Sequence, residues 1–261
     1  EKPLMRTFFI DELFDGPAPE AQLKSATPEN MLLAQILMLQ EQQPSQSAVL
    51  EDAVIGQLLE GFSMSITSLN RYLRCPLSFY YEDILKVPTL PSEASIFGTA
   101  VHHTLQQSSE WILRHQGNTP SPRQVVSWFE QTMQRCQSQL APSAYQHRLE
   151  RGRHALRLYA EQEMPRWHTQ LKVEQVIADA VVDGVPLRGV IDKIELFDGF
   201  VRVIDYKTGS QDDKKLKPPS DKDPQGGNYW RQLAFYKLLY ESSQSAPGKV
   251  QGGIIVFVEP D

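Results

Sequence analysis

The stretch that most constrains this chain is Gly189–Gly209, GVIDKIELFDGFVRVIDYKTG. Two runs rich in Val, Ile and Phe flank Asp198-Gly199, a pairing that signals a two-residue β-hairpin loop. Such a loop sets Phe197 opposite Phe200 and fixes the register of the whole pair. Counting back along both runs places Glu195 opposite Arg202, a favourable cross-strand charge pair, and Asp192 opposite Asp205. Side chains alternate along a strand, so one face carries Val190, Asp192, Ile194 and Leu196 from the first run. From the second it carries Val201, Val203, Asp205 and Lys207.

Two facing carboxylates in an apolar wall must share a proton or find a cation, because uncompensated burial of charge costs several kcal/mol. A divalent ion is the simplest resolution. Carboxylate oxygens with water suit a hard ion, Mg²⁺ or Mn²⁺, better than zinc. Lys207 points to the same place. A lysine beside an ion-activated water, able to neutralise a phosphoryl oxygen, is equipment for phosphodiester hydrolysis.

The rest of the chain supplies the frame. Residues 1–60 hold a short apolar piece, RTFFIDELF, a Pro-rich turn and a helical stretch, ENMLLAQILMLQEQQ; they read as an extension or linker, with the main domain over 61–261. Ser65–Val87 shows helical periodicity broken near Pro76, predicting two short helices. Helices are also expected over the segment ending at Gly117 and at about 121–140 and 144–168. The period then changes. Asp-Gly at 183/184 and 198/199 delimits three strands in a meander, with a helix over NYWRQLAFYKLLYE and a last strand over GGIIVFVE. Helices, three strands, helix and strand make an α/β or α+β sandwich.

Composition narrows the chemistry. Cys75 and Cys136 are the only two cysteines, too few for a disulfide framework or a four-cysteine cluster. No run of about 18 apolar residues and no leader pattern occurs, so the expected location is cytoplasmic, away from membranes. The net charge of −6 by itself argues against a nucleic-acid partner, although affinity depends on local charge and bound ions rather than on the total.

The motifs carry a resemblance. GVID, thirteen residues before DYK, resembles the two central motifs of the PD-(D/E)XK nuclease superfamily. FGTAVHHTL resembles the G-x-x-x-H-x-x-L helix of its RecB-like (AddAB-type) branch, and RQLAFY the branch's Q-x-x-x-Y motif. SITSLNRYLRCPLSFYY is similar to its S-x-x-x-L-x-x-Y-x-x-C-P-x-x-F-Y segment. The motifs run in the family's order and span about Ser65 to Glu259, so the joint match is far more specific than a D-x-K tripeptide.

The resemblance implies a restriction-endonuclease-like core: a central mixed sheet with an antiparallel meander, flanked by helices, with extra N-terminal helices. It implies His102, Asp192, Asp205 and the Tyr206 carbonyl as metal ligands, with Asp192, Asp205 and Lys207 as the catalytic set. Gln232 and Tyr236, one helical turn apart, match the pair that borders the site and contacts DNA or orients the lysine. Arg188 and Arg231 are candidate phosphate contacts, whereas His103 reads as an ordinary helix residue and Glu174 as facing Lys193 across the sheet. Some relatives anchor an iron–sulfur cluster at the Cys75 position with three more cysteines near the end of the domain; those three are absent up to Asp261, so no cluster is expected within these residues.

RTFFIDEL resembles the segment that closes the motor of UvrD-like helicases. The expectation is therefore an exonuclease acting on DNA ends, working with a helicase domain of a longer chain or a partner helicase-nuclease subunit in repair or recombination. Two other readings stay open: a non-catalytic DNA-binding or scaffold module of a helicase complex, and a hydrolase of nucleotides or RNA.

Overall fold

The computed structural model describes residues 52–246 and 248–259; RTFFIDEL and the helix expected over ENMLLAQILMLQEQQ lie outside them. The helices are α1 (Asp52–Leu59), α2 (Ile66–Arg74), α3 (Pro76–Phe79), α4 (Glu93–Arg114), α5 (Pro122–Arg135), α6 (Pro142–Gln162), α7 (Asp213–Leu216) and α8 (Asn228–Glu241). The strands are β1 (Leu171–Val182), β2 (Val185–Phe197), β3 (Phe200–Lys207) and β4 (Lys249–Phe257). Among the described residues, no helix is long and apolar enough to cross a membrane.

Helix starts follow local chemistry. Ser65, Ser92 and Ser121 each accept a hydrogen bond from the backbone N–H three residues on, satisfying a donor the first turn leaves free. The expected break near Pro76 is real: α2 ends at Arg74, Pro76 opens α3, and the chain continues as one π-helical turn, Tyr80–Ile84. The two helices expected after Gly117 are shorter than the periodicity suggested. Each closes in a 3₁₀ turn, Gln137–Gln139 and Met164–Arg166.

The sheet has the order β1-β2-β3-β4, an antiparallel meander with β4 parallel to β3. It is the mixed four-stranded sheet flanked by helices of a restriction-endonuclease-like fold. One face packs on α4, α5 and α6 through Phe97, Val101, Leu105, Phe129, Leu156 and the sheet residues Ile204 and Tyr206. Burying aliphatic and aromatic side chains of this size contributes roughly 1.5–3 kcal/mol each. Gly152 makes the α5–α6 crossing possible, since a Cβ there would lie 2.1 Å from the Phe129 ring. The other face packs on α8 through Ile177, Ile191, Ile194, Val203, Phe235 and Leu239.

The hairpin register matches the sequence expectation from Phe197↔Phe200 to Lys193↔Ile204. There the pairing stops. Ile191 and Ile194 both lie in the cluster beneath α8, so alternation changes phase across Asp192. Val190, expected on the apolar face, is 41% exposed. Past this point β2 leaves β3, and its freed edge pairs with the segment before α2. Met64 N–H donates to the Pro186 carbonyl at 2.8 Å, and Arg188 N–H donates to the Met64 carbonyl at 3.0 Å.

Candidate active site

The opened end of the β2–β3 pair collects side chains from both helical layers. Asp205 is 2% exposed and faces α8, where the Gln232 amide donates to its Oδ1 at 2.6 Å and the Tyr236 hydroxyl at 3.0 Å. Lys207 Nζ lies 2.8 Å from Asp205 Oδ2. Asp192 has no backbone partner opposite; instead its Oδ2 accepts from Tyr206 N–H at 2.8 Å, standing in for a ladder carbonyl. His102 arrives from α4, on the opposite side of the sheet from α8, with Nδ1 3.2 Å from the same oxygen. The apolar stripe Phe97, Val101, Leu105 anchors that helix, and its Gly98 approaches Thr208 just after Lys207.

Charge is under-compensated here. Burial pushes the Asp205 carboxyl above its ordinary range; Lys207 opposes this, and the neighbouring Asp192 charge adds to it. Burial pulls His102 down, but its hydrogen bond to Asp192 and the charges of Asp192 and Asp205 outweigh that and hold it above its usual value.

Glu174 belongs to the same field, contrary to the sequence expectation that it faces Lys193. The β1–β2 register shifts between Ile177 and Ala180, so Val173↔Lys193 and Gln175↔Ile191 bracket the Glu174 position opposite Asp192. This is a β-bulge, and it shifts every pair from Ile177 back to Leu171 by one residue. Glu174 sits half-buried at φ 45°. Burial, then the charge of Asp192, raise its carboxyl, while His102 opposes them. The sequence does hold a signal for both irregularities. Ile177 and Ala180, like Ile191 and Ile194, are buried pairs three residues apart, a spacing that strict alternation forbids.

Other candidates fall in different places. Tyr236 is buried, and its hydroxyl reaches Asp205 rather than solvent; Gln232 bonds both Asp205 and Tyr236. The Arg231 guanidinium is spent on neutral acceptors, Asn70 Oδ1 at 2.9 Å and the Gln225 and Gly226 carbonyls at 2.9 and 2.6 Å. Arg188 lines a separate hollow with Ser68, Asp83 and Lys86 and is not gathered with the acids. His103 contacts Thr132 of α5, away from the site.

Among the described residues no three His, Cys, Asp or Glu side chains stand in a ready-made ion cage. The donor set nevertheless fits a hard divalent ion: two carboxylates, an imidazole and a further acid nearby. Asp205 Oδ2 is buried without an aligned hydrogen bond and has only the Lys207 charge beside it. A buried carboxylate oxygen left in this state calls for a further partner.

A family profile, that of the PD-(D/E)XK nuclease superfamily, matches residues 63–260. The chain belongs to that superfamily. No curated protein matches it. PD-(D/E)XK nucleases typically use divalent metal ions. The paired acids and lysine of this member, Asp192 and the Asp205-Tyr206-Lys207 tripeptide, fall at the point where its central hairpin opens.

Proposed function

We propose that this PD-(D/E)XK protein is a Mg²⁺- or Mn²⁺-dependent deoxyribonuclease, exonucleolytic at DNA ends and coupled to a helicase in repair or recombination. The observation that carries the chemical part is the Asp205–Lys207 contact of 2.8 Å, held at the opened end of the sheet beside Asp192 and His102. The helicase link rests on the likeness of RTFFIDEL to a motor-closing segment.

In this reading His102, Asp192, Asp205 and the Tyr206 carbonyl hold the ion. When bound, it supplies Lewis acidity toward the phosphate and a more acidic water. The chain's own groups do the rest. Lys207 sits close enough to Asp205 to orient the attacking water and to meet charge building on the phosphoryl oxygens. Gln232 and Tyr236 lock the Asp205 rotamer, so it does not reorganise as the reaction proceeds. Asp192 is held by the Tyr206 amide, which keeps one oxygen aimed into the gap between the strands.

Lys207→Ala and Asp205→Ala are expected to lower Mn²⁺-dependent cleavage of linear DNA by about 10³-fold or more, with unchanged circular dichroism. Wild-type rates in either purified variant would remove the assignment. Comparing linear with covalently closed circular DNA tests the requirement for ends.

A further inference from the structure

A cleft of about 570 Å³ runs from Lys207 between α2 and α8. Its lining contains four cationic side chains, Arg71, Arg74, Lys207 and Arg231, and no Asp or Glu. That is unexpected in a chain of net charge −6.

Two of the four charges are answered. Arg71 pairs with Glu82 at 3.1 Å and Asp83 at 2.5 Å, and Lys207 with Asp205. The other two are not. Arg231 bonds only neutral acceptors, and among the described residues Arg74 has no acid within ion-pair distance. The same cleft presents the half-buried ring of Tyr229, with Lys207 Nζ at 5.4 Å and Lys215 Nζ at 5.3 Å from its centroid.

The wall is built rather than incidental. A Cβ at Gly227 would lie 2.1 Å from the Lys215 carbonyl oxygen, so the loop before α8 closes tightly on the helix start. Arg231 staples that loop through two of its carbonyls and ties it to Asn70 of α2.

A groove with uncompensated cations along its length and an aromatic ring in its wall is the chemistry that tracks a phosphate backbone and stacks a base. Its volume is that of a small-ligand pocket, and a stacking ring in its wall is served by an unpaired base rather than by one already stacked within a duplex. We propose that this cleft receives an unpaired DNA strand and leads it to Lys207, with Arg74 meeting a phosphate and Tyr229 stacking a base. The proposal deepens the nuclease reading and rests on it for the identity of the polynucleotide.

The test is fluorescence anisotropy of the full chain with labelled oligo(dT) in EDTA, comparing wild type with Arg74→Glu, Tyr229→Ala and Tyr229→Phe. Arg74→Glu and Tyr229→Ala should each weaken binding about tenfold, and Tyr229→Phe should bind like wild type. Arg74→Glu should also reduce the slope of log K against log salt by about one. A blunt duplex should compete at least about tenfold less well than the single strand. Unchanged affinity and salt slope in both weakened variants, or equal competition by duplex, would overturn the cleft assignment. Cleavage in Mn²⁺ is read separately on the same proteins. A wild type that binds oligo(dT) through these residues but cuts no DNA refutes the nuclease reading and leaves the cleft, whereas cleavage with unaltered binding in the variants refutes the cleft alone.

Discussion

Glu195 and Asp205 are both buried carboxylates on the same hairpin, 3% and 2% exposed, yet their surroundings differ in kind. Glu195 lies where the strands are paired, directly across from Arg202. It accepts two hydrogen bonds from that guanidinium, one of them at 2.8 Å, and has Lys193 Nζ at 3.3 Å. Lys193 in turn lies 4.0 Å over the Trp167 ring; burial pushes its ammonium down to about 8, against the raising pull of Glu195. One negative charge meets two positive ones. Asp205 lies where the strands part, with two neutral donors, one ammonium, and the Asp192 charge close by. A saturated acid holds a sheet together, whereas an acid left short of positive charge keeps affinity for something yet to arrive.

The contrast can be broken from either side. Glu195→Ala strands Lys193 as a buried, unpaired charge, and the expected loss is about 3–5 kcal/mol, measured by urea unfolding. Cleavage per folded molecule should stay near wild type, and a large activity loss without destabilisation would erase the distinction. On the other side, Gln232→Ala and Tyr236→Phe each remove one donor from Asp205. Each is expected to lower the cleavage rate by about tenfold and to cost about 1 kcal/mol of stability.

Glu174→Gln probes whether the bulge-borne acid belongs to the under-compensated group. The expected effect is a loss of roughly tenfold in Mn²⁺ affinity by calorimetry, with little change in melting temperature.

The smallest effect is on pH. Asp205, Glu174 and His102 all have pKa values raised by the fold. Raised groups favour the native state below their unfolded pKa, and that stability is lost as pH rises through the folded values. In chelator, melting temperature should therefore fall from acid conditions through the range above 6.5, the ordinary value for His102. Asp205→Asn should flatten the fall, and added Mn²⁺ should reverse it most at the alkaline end.

Much of this was legible because a two-residue loop leaves a hairpin no freedom. Phe197, Asp198, Gly199 and Phe200 determine every pair back to Lys193↔Ile204. The meander, a last strand and the helix bearing Gln232 and Tyr236 followed from changes in period, whereas the mixed character of the sheet came only with the family resemblance and the parallel pairing of β4 with β3 from the structure. Glu174 did not, because its position depends on a bulge between Ile177 and Ala180, where Asp179 leaves regular pairing to bind Ser243 and the N–H groups of Gln244 and Ser245. That contact joins residues 64 positions apart; the Ile177–Ala180 spacing marks a break in alternation, but nothing local fixes the long-range contact that holds it. The cleft was hidden for the same reason: Arg74 and Tyr229 come from α2 and α8, distant in sequence, and meet only through the fold.

The hydrogen bond from Tyr206 N–H to Asp192 has a practical consequence. One carboxylate oxygen serves both as the last rung of the sheet and as neighbour to His102. Any ion or proton that draws on that oxygen must loosen or polarise a single backbone amide. The Tyr206 amide resonance is thus an intrinsic reporter of site occupancy, readable by NMR titration without substrate, label or turnover.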